Sequence, residues 1–104
     1  MQKTAKRTAS KKSASEILSP LRVGNNVLIR TVTFFHIGEV VKLDAIEVVL
    51  KGASWVADTD RWNAALKTGK LREVEPFADG ICSVGRGTII DVANWSHALP
   101  MAVL

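Results

Sequence analysis

The sequence is poor in several residue types that define common protein classes. It contains one cysteine and no tyrosine among 104 residues. A single cysteine excludes an internal disulfide framework and a multi-cysteine metal site. No apolar run approaches the ~20 residues that a membrane-spanning helix requires, and the N-terminus lacks the apolar centre of a secretory signal. We therefore expect a protein that is made in the cytoplasm and has no membrane partner.

Residues suited to catalysis are also few. The candidates for a nucleophile and a base are His36, His97 and Cys82, which lie far apart in the chain. No group of His, Asp, Glu and Cys has the spacing of metal ligands. The glycines of Gly85-Arg86-Gly87 lack the Lys-Ser/Thr that follows them in a phosphate-binding loop. We predict that the protein is not an enzyme and holds neither a cofactor nor a metal.

The excess positive charge is confined to one end of the chain. The formal net charge is +4, from 14 basic and 10 acidic residues. Residues 1–15 contain five of the cations and no acid, so residues 16–104 have a net charge of −1. A domain that binds a phosphate backbone needs its own cluster of Lys and Arg. The near-neutral body therefore argues against direct binding of nucleic acid.

Residues 1–22 are predicted to form an extended basic arm, followed by a β-rich globular domain over residues 23–104. Apart from Met1, the first 15 residues have no large apolar side chain and cannot bury enough surface to offset their chain entropy. Pro20 prevents a longer helix at the end of the arm. We predict that the arm contacts a partner through Lys3, Lys6, Arg7, Lys11, Lys12, Ile17, Leu18 and Leu21.

The first half of the body predicts strands. The β-branched and aromatic stretch 27–43 predicts either two strands that meet near Thr33–Phe35 or one long strand bent near Gly38. Residues 46–51 alternate as a half-buried strand does, and we expect Gly52 to end that strand.

The second half adds one helix and a hairpin. Residues 58–68 predict a helix with Gly69 at its C-terminal end and an N-cap at Asp58, Thr59 or Asp60. Residues 81–84 and 88–92 flank Gly85-Arg86-Gly87 as the strands of a hairpin do. With five or six strands at hairpin spacing, we predict a mainly β fold. It would be a small antiparallel β-barrel or sandwich, SH3-like or similar, with one short inserted α-helix.

Three tryptophans are candidates for the core or for an interface. Trp62 lies on the apolar face of the predicted helix, which favours a core position. Tryptophan is enriched at protein contacts, so an interface role is credible for Trp55 or Trp95. Base stacking by Phe34, Phe35 or Trp55 is an alternative, but these strands lack interleaved Lys and Arg.

The C-terminal segment 98–104 has no charged side chain and would form an exposed hydrophobic patch if no other surface covered it. Two alternatives stay open: the segment adds to the edge of its own sheet, or it packs against another chain. We predict that its partner-binding residues are Leu99, Met101, Val103 and Leu104.

The run GNNVLIRTVTFFHIGEVVKLDAIEVVLKGASWVADTDRWNAALKTGKL resembles a family of short proteins encoded by tailed bacteriophages. That family has an IRT strand, a glycine-containing strand, an EVVLK-A strand, a tryptophan-containing segment and a short helix. The matching positions are Ile29-Arg30-Thr31, Gly38, Glu47–Lys51 with Ala53 after the inserted Gly52, Trp55 and Ala64–Leu66. A later strand that ends in Trp95 is also similar. The resemblance implies a phage origin, supplies no catalytic residues, and does not extend to either end of the chain.

These features favour one function and leave an alternative. We expect a bacteriophage minor capsid or decoration (cement) protein, made in the bacterial host cytoplasm and located in the virion. Its β body and arm would bind and stabilise the shell of the major capsid protein, as a homo-oligomer with a trimer favoured. The alternative is a small β-barrel module that binds nucleic acid through the phosphate contacts of its arm. An inhibitor of a host enzyme is a third hypothesis that no residue singles out.

Overall fold

This computed structural model describes residues 17–104, which contain six strands, one α-helix and a 3-10 turn. In chain order the elements are β1 (Asn26–Thr31), β2 (Phe35–Leu43), β3 (Glu47–Asp58), α1 (Trp62–Thr68), β4 (Glu73–Pro76), β5 (Cys82–Gly85), the 3-10 turn (Arg86–Thr88) and β6 (Ile89–Asn94). All the strand pairs are antiparallel. The predicted mainly β fold with one short inserted helix is confirmed.

The first three strands form a meander with tight turns. The stretch that predicted either two strands or one bent strand forms two, because the chain turns at residues 32–34. The second turn is held by Asp44, whose Oδ1 accepts hydrogen bonds from the amides of Ile46 at 2.8 Å and Glu47 at 2.9 Å. A side-chain oxygen that bonds the backbone a few residues on stabilises a turn, and here it leads directly into β3.

The sheet curls until its two ends meet. Its strand order is β4-β3-β2-β1-β6, and β5 pairs with β3 beside β4. In a flat sheet β5 and β6 would lie about 19 Å apart, at ~4.8 Å per strand. Only the 3-10 turn joins them, and four residue steps span at most about 14 Å. The sheet must therefore curve round, which gives the molecule its barrel-like form.

The predicted hairpin around Gly85-Arg86-Gly87 is wrong. β5 pairs with β3 and β6 pairs with β1, so the two strands belong to opposite ends of the curled sheet. The amide of Arg86 donates to the carbonyl oxygen of Ile46 at 2.8 Å, which ties the 3-10 turn to the β2–β3 turn. The glycines thus connect two strands that meet only because the sheet closes on itself.

β3 is longer than predicted. Gly52 does not end the strand, because β3 pairs with β2 on both sides of it. Its φ of +58° makes it an irregular residue within the strand. Glycine within a strand commonly marks such an irregularity. The strand continues to Asp58 and so carries Trp55 into the sheet.

The helix begins four residues later than predicted. It starts at Trp62, after Arg61, which makes no capping bond through its side chain. The predicted N-caps all precede it, and Asp60 has a φ of 59°, a backbone conformation that a right-handed helix excludes. Gly69 ends the helix in the left-handed conformation, as predicted. Within the described chain, no helix is long and apolar enough to cross a membrane.

Two hydrophobic clusters lie on the two faces of the sheet. The inner cluster, inside the curl, consists of Val27, Ile29, Val40, Val48, Leu50, Ala53, Cys82 and Val84. The outer cluster consists of Leu28, Ile37, Val56, Val74 and Trp95, with half-buried side chains of α1 packed on it. Neighbouring side chains of a strand point to opposite faces. β1 therefore contributes fully buried residues to both clusters.

Candidate functional site

The predicted catalytic candidates lie in separate environments. Cys82 belongs to the inner cluster, and burial raises the pKa of its thiol. His97 donates a hydrogen bond from Nε2 to the carbonyl oxygen of Leu66 at 2.8 Å. His36 on β2 is half-buried, burial lowers its pKa, and its Nδ1 has no hydrogen-bond partner among residues 17–104. Over that same range, no group of three or more His, Cys, Asp or Glu is placed to hold a metal ion.

Trp55 is the exposed aromatic residue around which a candidate binding surface is built. It lies on β3, opposite His36 on β2 and Glu75 on β4. Its neighbour Val56 enters the outer cluster, so Trp55 points to the inner face of the curled sheet. At this end β3 pairs with β4 instead of β5. The ring is not covered there, and the residue is 44% exposed.

Two phenylalanines hold the Trp55 ring in place. Phe34, in the β1–β2 turn, lies 4.7 Å away between ring centroids with the planes tilted by 32°. Phe77, which follows β4, lies edge-on at 6.3 Å and 77°. Both separations fall in the range of favourable aromatic pairs. The indole is therefore ordered before any partner binds, which lowers the entropic cost of binding.

Two hollows border Trp55, and a third adjoins them, sharing Phe77 with one and Val103 with the other. We call the three together the Trp55 groove. Its main lining side chains are Trp55, Glu73, Glu75, Phe77, Met101 and Val103. The largest hollow has a volume of about 530 Å³ and no charged lining residue. The groove thus has an apolar end and an end that carries two carboxylates.

The C-terminal segment forms one wall of this groove. The indole Nε1 of Trp95 donates to the carbonyl oxygen of Ala98 at 3.1 Å, and Leu99 packs against the outer cluster. Leu104 and Val74 exchange backbone hydrogen bonds of 2.9 and 3.2 Å. Of the two alternatives that the sequence left open, the structure has the segment on its own domain, with Leu104 paired to the edge strand β4.

The predicted partner-binding residues of the segment differ in exposure. Leu99 is half-buried, whereas Met101 and Val103 are 81% and 70% exposed, and Leu104 is exposed as well. Trp95 is buried and has no surface for a partner, which leaves Trp55 as the tryptophan available for an interface. The segment therefore adds apolar side chains to the groove beside Trp55.

The arm is described only at its end. Ile17 and Leu18 are 68% and 66% exposed, whereas Leu21 packs against the inner cluster. The amide of Gly24 donates to the carbonyl oxygen of Val40 at 2.7 Å, so the chain is joined to the sheet from this point. The predicted basic residues of the arm lie outside the described residues: Lys3, Lys6, Arg7, Lys11 and Lys12.

The acidic end of the groove carries two exposed carboxylates on one short strand. Other charged side chains of residues 17–104 form the ion pairs Arg30–Asp91, Lys42–Asp44, Lys42–Glu47, Lys51–Glu39 and Arg72–Asp58. Glu73 and Glu75 take part in no ion pair with a basic side chain of the same range. These two exposed carboxylates are therefore available to a cationic partner.

Sequence reasoning identified Trp55 as an interface candidate but missed the acidic end and Phe77. β4 spans only Glu73–Pro76, and it was not predicted because its four residues give a short periodic signal. The alternation of Glu73, Val74 and Glu75 is the pattern that indicates it, with the valine buried and both glutamates exposed.

Comparisons of the chain with protein-family models, with characterised proteins and with solved structures find no match. The resemblance to phage proteins therefore stays a prediction. The case for a function depends on the Trp55 groove and on the distribution of charge.

Proposed function

We propose that this chain is a non-enzymatic structural protein that attaches to a larger protein assembly. The specific proposal is a minor capsid or decoration protein of a tailed bacteriophage that binds the shell of the major capsid protein. It would act as a homo-oligomer, with a trimer favoured, and be located in the virion.

The observation that carries this proposal is the Trp55 groove. An ordered, exposed tryptophan between two phenylalanines has the composition of a protein-interface centre, where aromatic residues supply much of the binding energy. The exposed side chains of Met101 and Val103 extend the apolar area beside it. Contiguous exposed apolar surface of this kind indicates an interaction site.

The charge distribution favours a protein partner over nucleic acid. Residues 17–104 contain nine basic and nine acidic residues, and the groove itself presents carboxylates. Carboxylates repel the phosphates of a nucleic acid, whereas they attract basic side chains. The arm would add a second contact, and two linked contacts raise the affinity of one molecule for a repeating shell.

The experiment measures binding to empty shells assembled from the major capsid protein of the same phage. Wild-type protein and Trp55→Ala are sedimented with the shells, and the bound copies are counted. We expect wild type to saturate at a fixed number per lattice site. Trp55→Ala should weaken binding about thirtyfold, from the ~2 kcal/mol typical of an interface hot spot.

A matched control is Ile46→Ala, since Ile46 is 79% exposed in the β2–β3 turn. That turn lies about 26 Å from Trp55 along β3, at ~3.3 Å per residue. The control should bind as wild type does, and both variants should keep the wild-type circular dichroism spectrum. The proposal is wrong if wild type shows no saturable binding, or if both variants lose the same affinity.

A parallel titration with single- and double-stranded DNA tests the alternative. The deletion used should remove residues 1–16 and stop there, because Leu21 packs on the inner cluster. DNA binding at low salt that persists in this deletion would favour a nucleic-acid module, whereas shell binding that weakens in it would support a role for the arm.

A further inference from the structure

The Trp55 groove and the N-terminal segment of this same chain have complementary chemistry. The groove runs from an apolar hollow near Gly52 and Met101 to the carboxylates of Glu73 and Glu75. Residues 3–12 contain five cations and no acid, and the exposed apolar pair Ile17–Leu18 follows. A segment that is basic at one end and apolar at the other matches a groove that is acidic at one end and apolar at the other.

The lengths also match. Along β3 the groove extends from Gly52 to Ala57, which is about 17 Å at ~3.3 Å per residue. Lys12 and Ile17 are likewise five residues apart, so an extended segment places them about 17 Å from each other. Ile17 can therefore occupy the apolar hollow while Lys11 and Lys12 reach the two carboxylates.

The described part of the arm favours a second copy over the same molecule. Leu21 is fixed on the inner cluster, and only a short distance before it Ile17 and Leu18 are largely exposed. These two side chains are thus not in the groove of their own chain. In the groove of a neighbouring copy, Ile17 and Leu18 would bury apolar surface that is exposed to water in the single chain.

We propose that the Trp55 groove binds residues 11–18 of a second copy of this chain. Trp55 and Phe77 contact the segment between its two ends, Glu73 and Glu75 pair with Lys11 and Lys12, and the apolar hollow takes Ile17 and Leu18. The contact is head-to-tail, and such a contact closes into a ring when the rotation between copies allows it. This inference rests on the proposed function and deepens it: the groove joins copies of the chain, the linked copies attach to the shell together, and Trp55→Ala weakens shell binding by separating them.

The experiment uses the full-length protein alone, without shells, so that a failure leaves the shell-binding test standing. Sedimentation velocity at low salt follows self-association of wild type and two charge-reversed variants. One variant is Glu73→Lys/Glu75→Lys, and the other is Lys11→Glu/Lys12→Glu. We expect wild type to associate, and each variant alone to need at least tenfold more protein to do so.

Mixing the two variants is the decisive step. The reversed arm of one then meets the reversed groove of the other, and both unaltered surfaces also find a partner, so association should return. The control variant Lys67→Glu/Lys70→Glu makes the same change of net charge as the arm variant, on and beside α1, and should associate as wild type does. The proposal is overturned if wild type stays monomeric, if the control loses as much association as the arm variant, or if the mixture does not associate.

Discussion

Replacing Gly69 with alanine should lower the free energy of unfolding more than an ordinary surface substitution does. Gly69 ends α1 with a φ of +76°, a conformation that costs a residue with a side chain about 1–2 kcal/mol. A Cβ atom at this position would also lie 2.6 Å from Cγ and 2.9 Å from Cβ of His97. Rotating the imidazole does not move its own Cβ, so the backbone at His97 must shift.

That shift removes two interactions of His97. The ring donates to the carbonyl oxygen of Leu66, a bond with a net worth of about 0.5–1.5 kcal/mol. It also lies edge-on to Trp95 at 5.2 Å, and such aromatic pairs contribute about 0.5–1.5 kcal/mol. Together with the backbone term, we expect Gly69→Ala to lower the free energy of unfolding by about 3 kcal/mol, a large part of a typical 5–15 kcal/mol.

Gly24→Ala is the matched control. Gly24 also has a positive φ, of +92°, but a Cβ there meets no atom within 4 Å. Its cost should therefore be the backbone term alone, about 1–2 kcal/mol. Chemical denaturation of both variants measures the difference directly.

A double-mutant cycle with His97→Gly, which removes both the ring and the Cβ of residue 97, isolates the steric part. In that background the clash is absent. Gly69→Ala should therefore lower the free energy of unfolding by no more than Gly24→Ala does in wild type. The reasoning is refuted if Gly69→Ala costs no more than Gly24→Ala in wild type, or if its cost is the same with and without His97.

Three further predictions concern the sheet. Gly38→Ala should destabilise by about 1–3 kcal/mol, because the new Cβ would lie 3.0 Å from Cβ of Leu50 and 3.0 Å from a backbone oxygen; equilibrium denaturation checks this. Hydrogen bonds from two backbone amides lower the pKa of Asp44. The contribution of Asp44 to stability is therefore present above about pH 4 and is lost as the pH falls through its folded pKa. In acid titrations of stability, the Asp44→Asn variant should lose less stability over this range than wild type does. Burial lowers the pKa of His36, so stability should fall as the pH drops below about 6.5, and a His36→Gln variant that keeps the same fall would contradict this.

The sequence predicted the fold class well because strand alternation and turn residues are local signals. The alternation of Ile46, Val48 and Leu50 with Glu47, Val49 and Lys51 predicted the start of β3. Gly69 predicted the end of the helix. The false hairpin at Gly85-Arg86-Gly87 came from the same local logic, since the pairing of β5 and β6 depends on how the whole sheet curls.

The candidate site was predicted in part. Trp55 was identified from its residue type, and the C-terminal segment from its lack of charge. The acidic end was missed because the short strand that holds Glu75 becomes visible only when β3 extends past Gly52 to meet it. A binding surface made from three segments far apart in the chain leaves little trace in any one of them.

β1 has a consequence for how the molecule opens. Val27 and Ile29 belong to the inner cluster and Leu28 to the outer one, and all three are completely buried. Withdrawing this strand exposes both layers at once, so neither layer can loosen separately while the other persists. Deuterium should therefore enter the amides of residues 27–29 only when the entire domain unfolds, while the amide of Leu104, at the chain end, exchanges through small local openings.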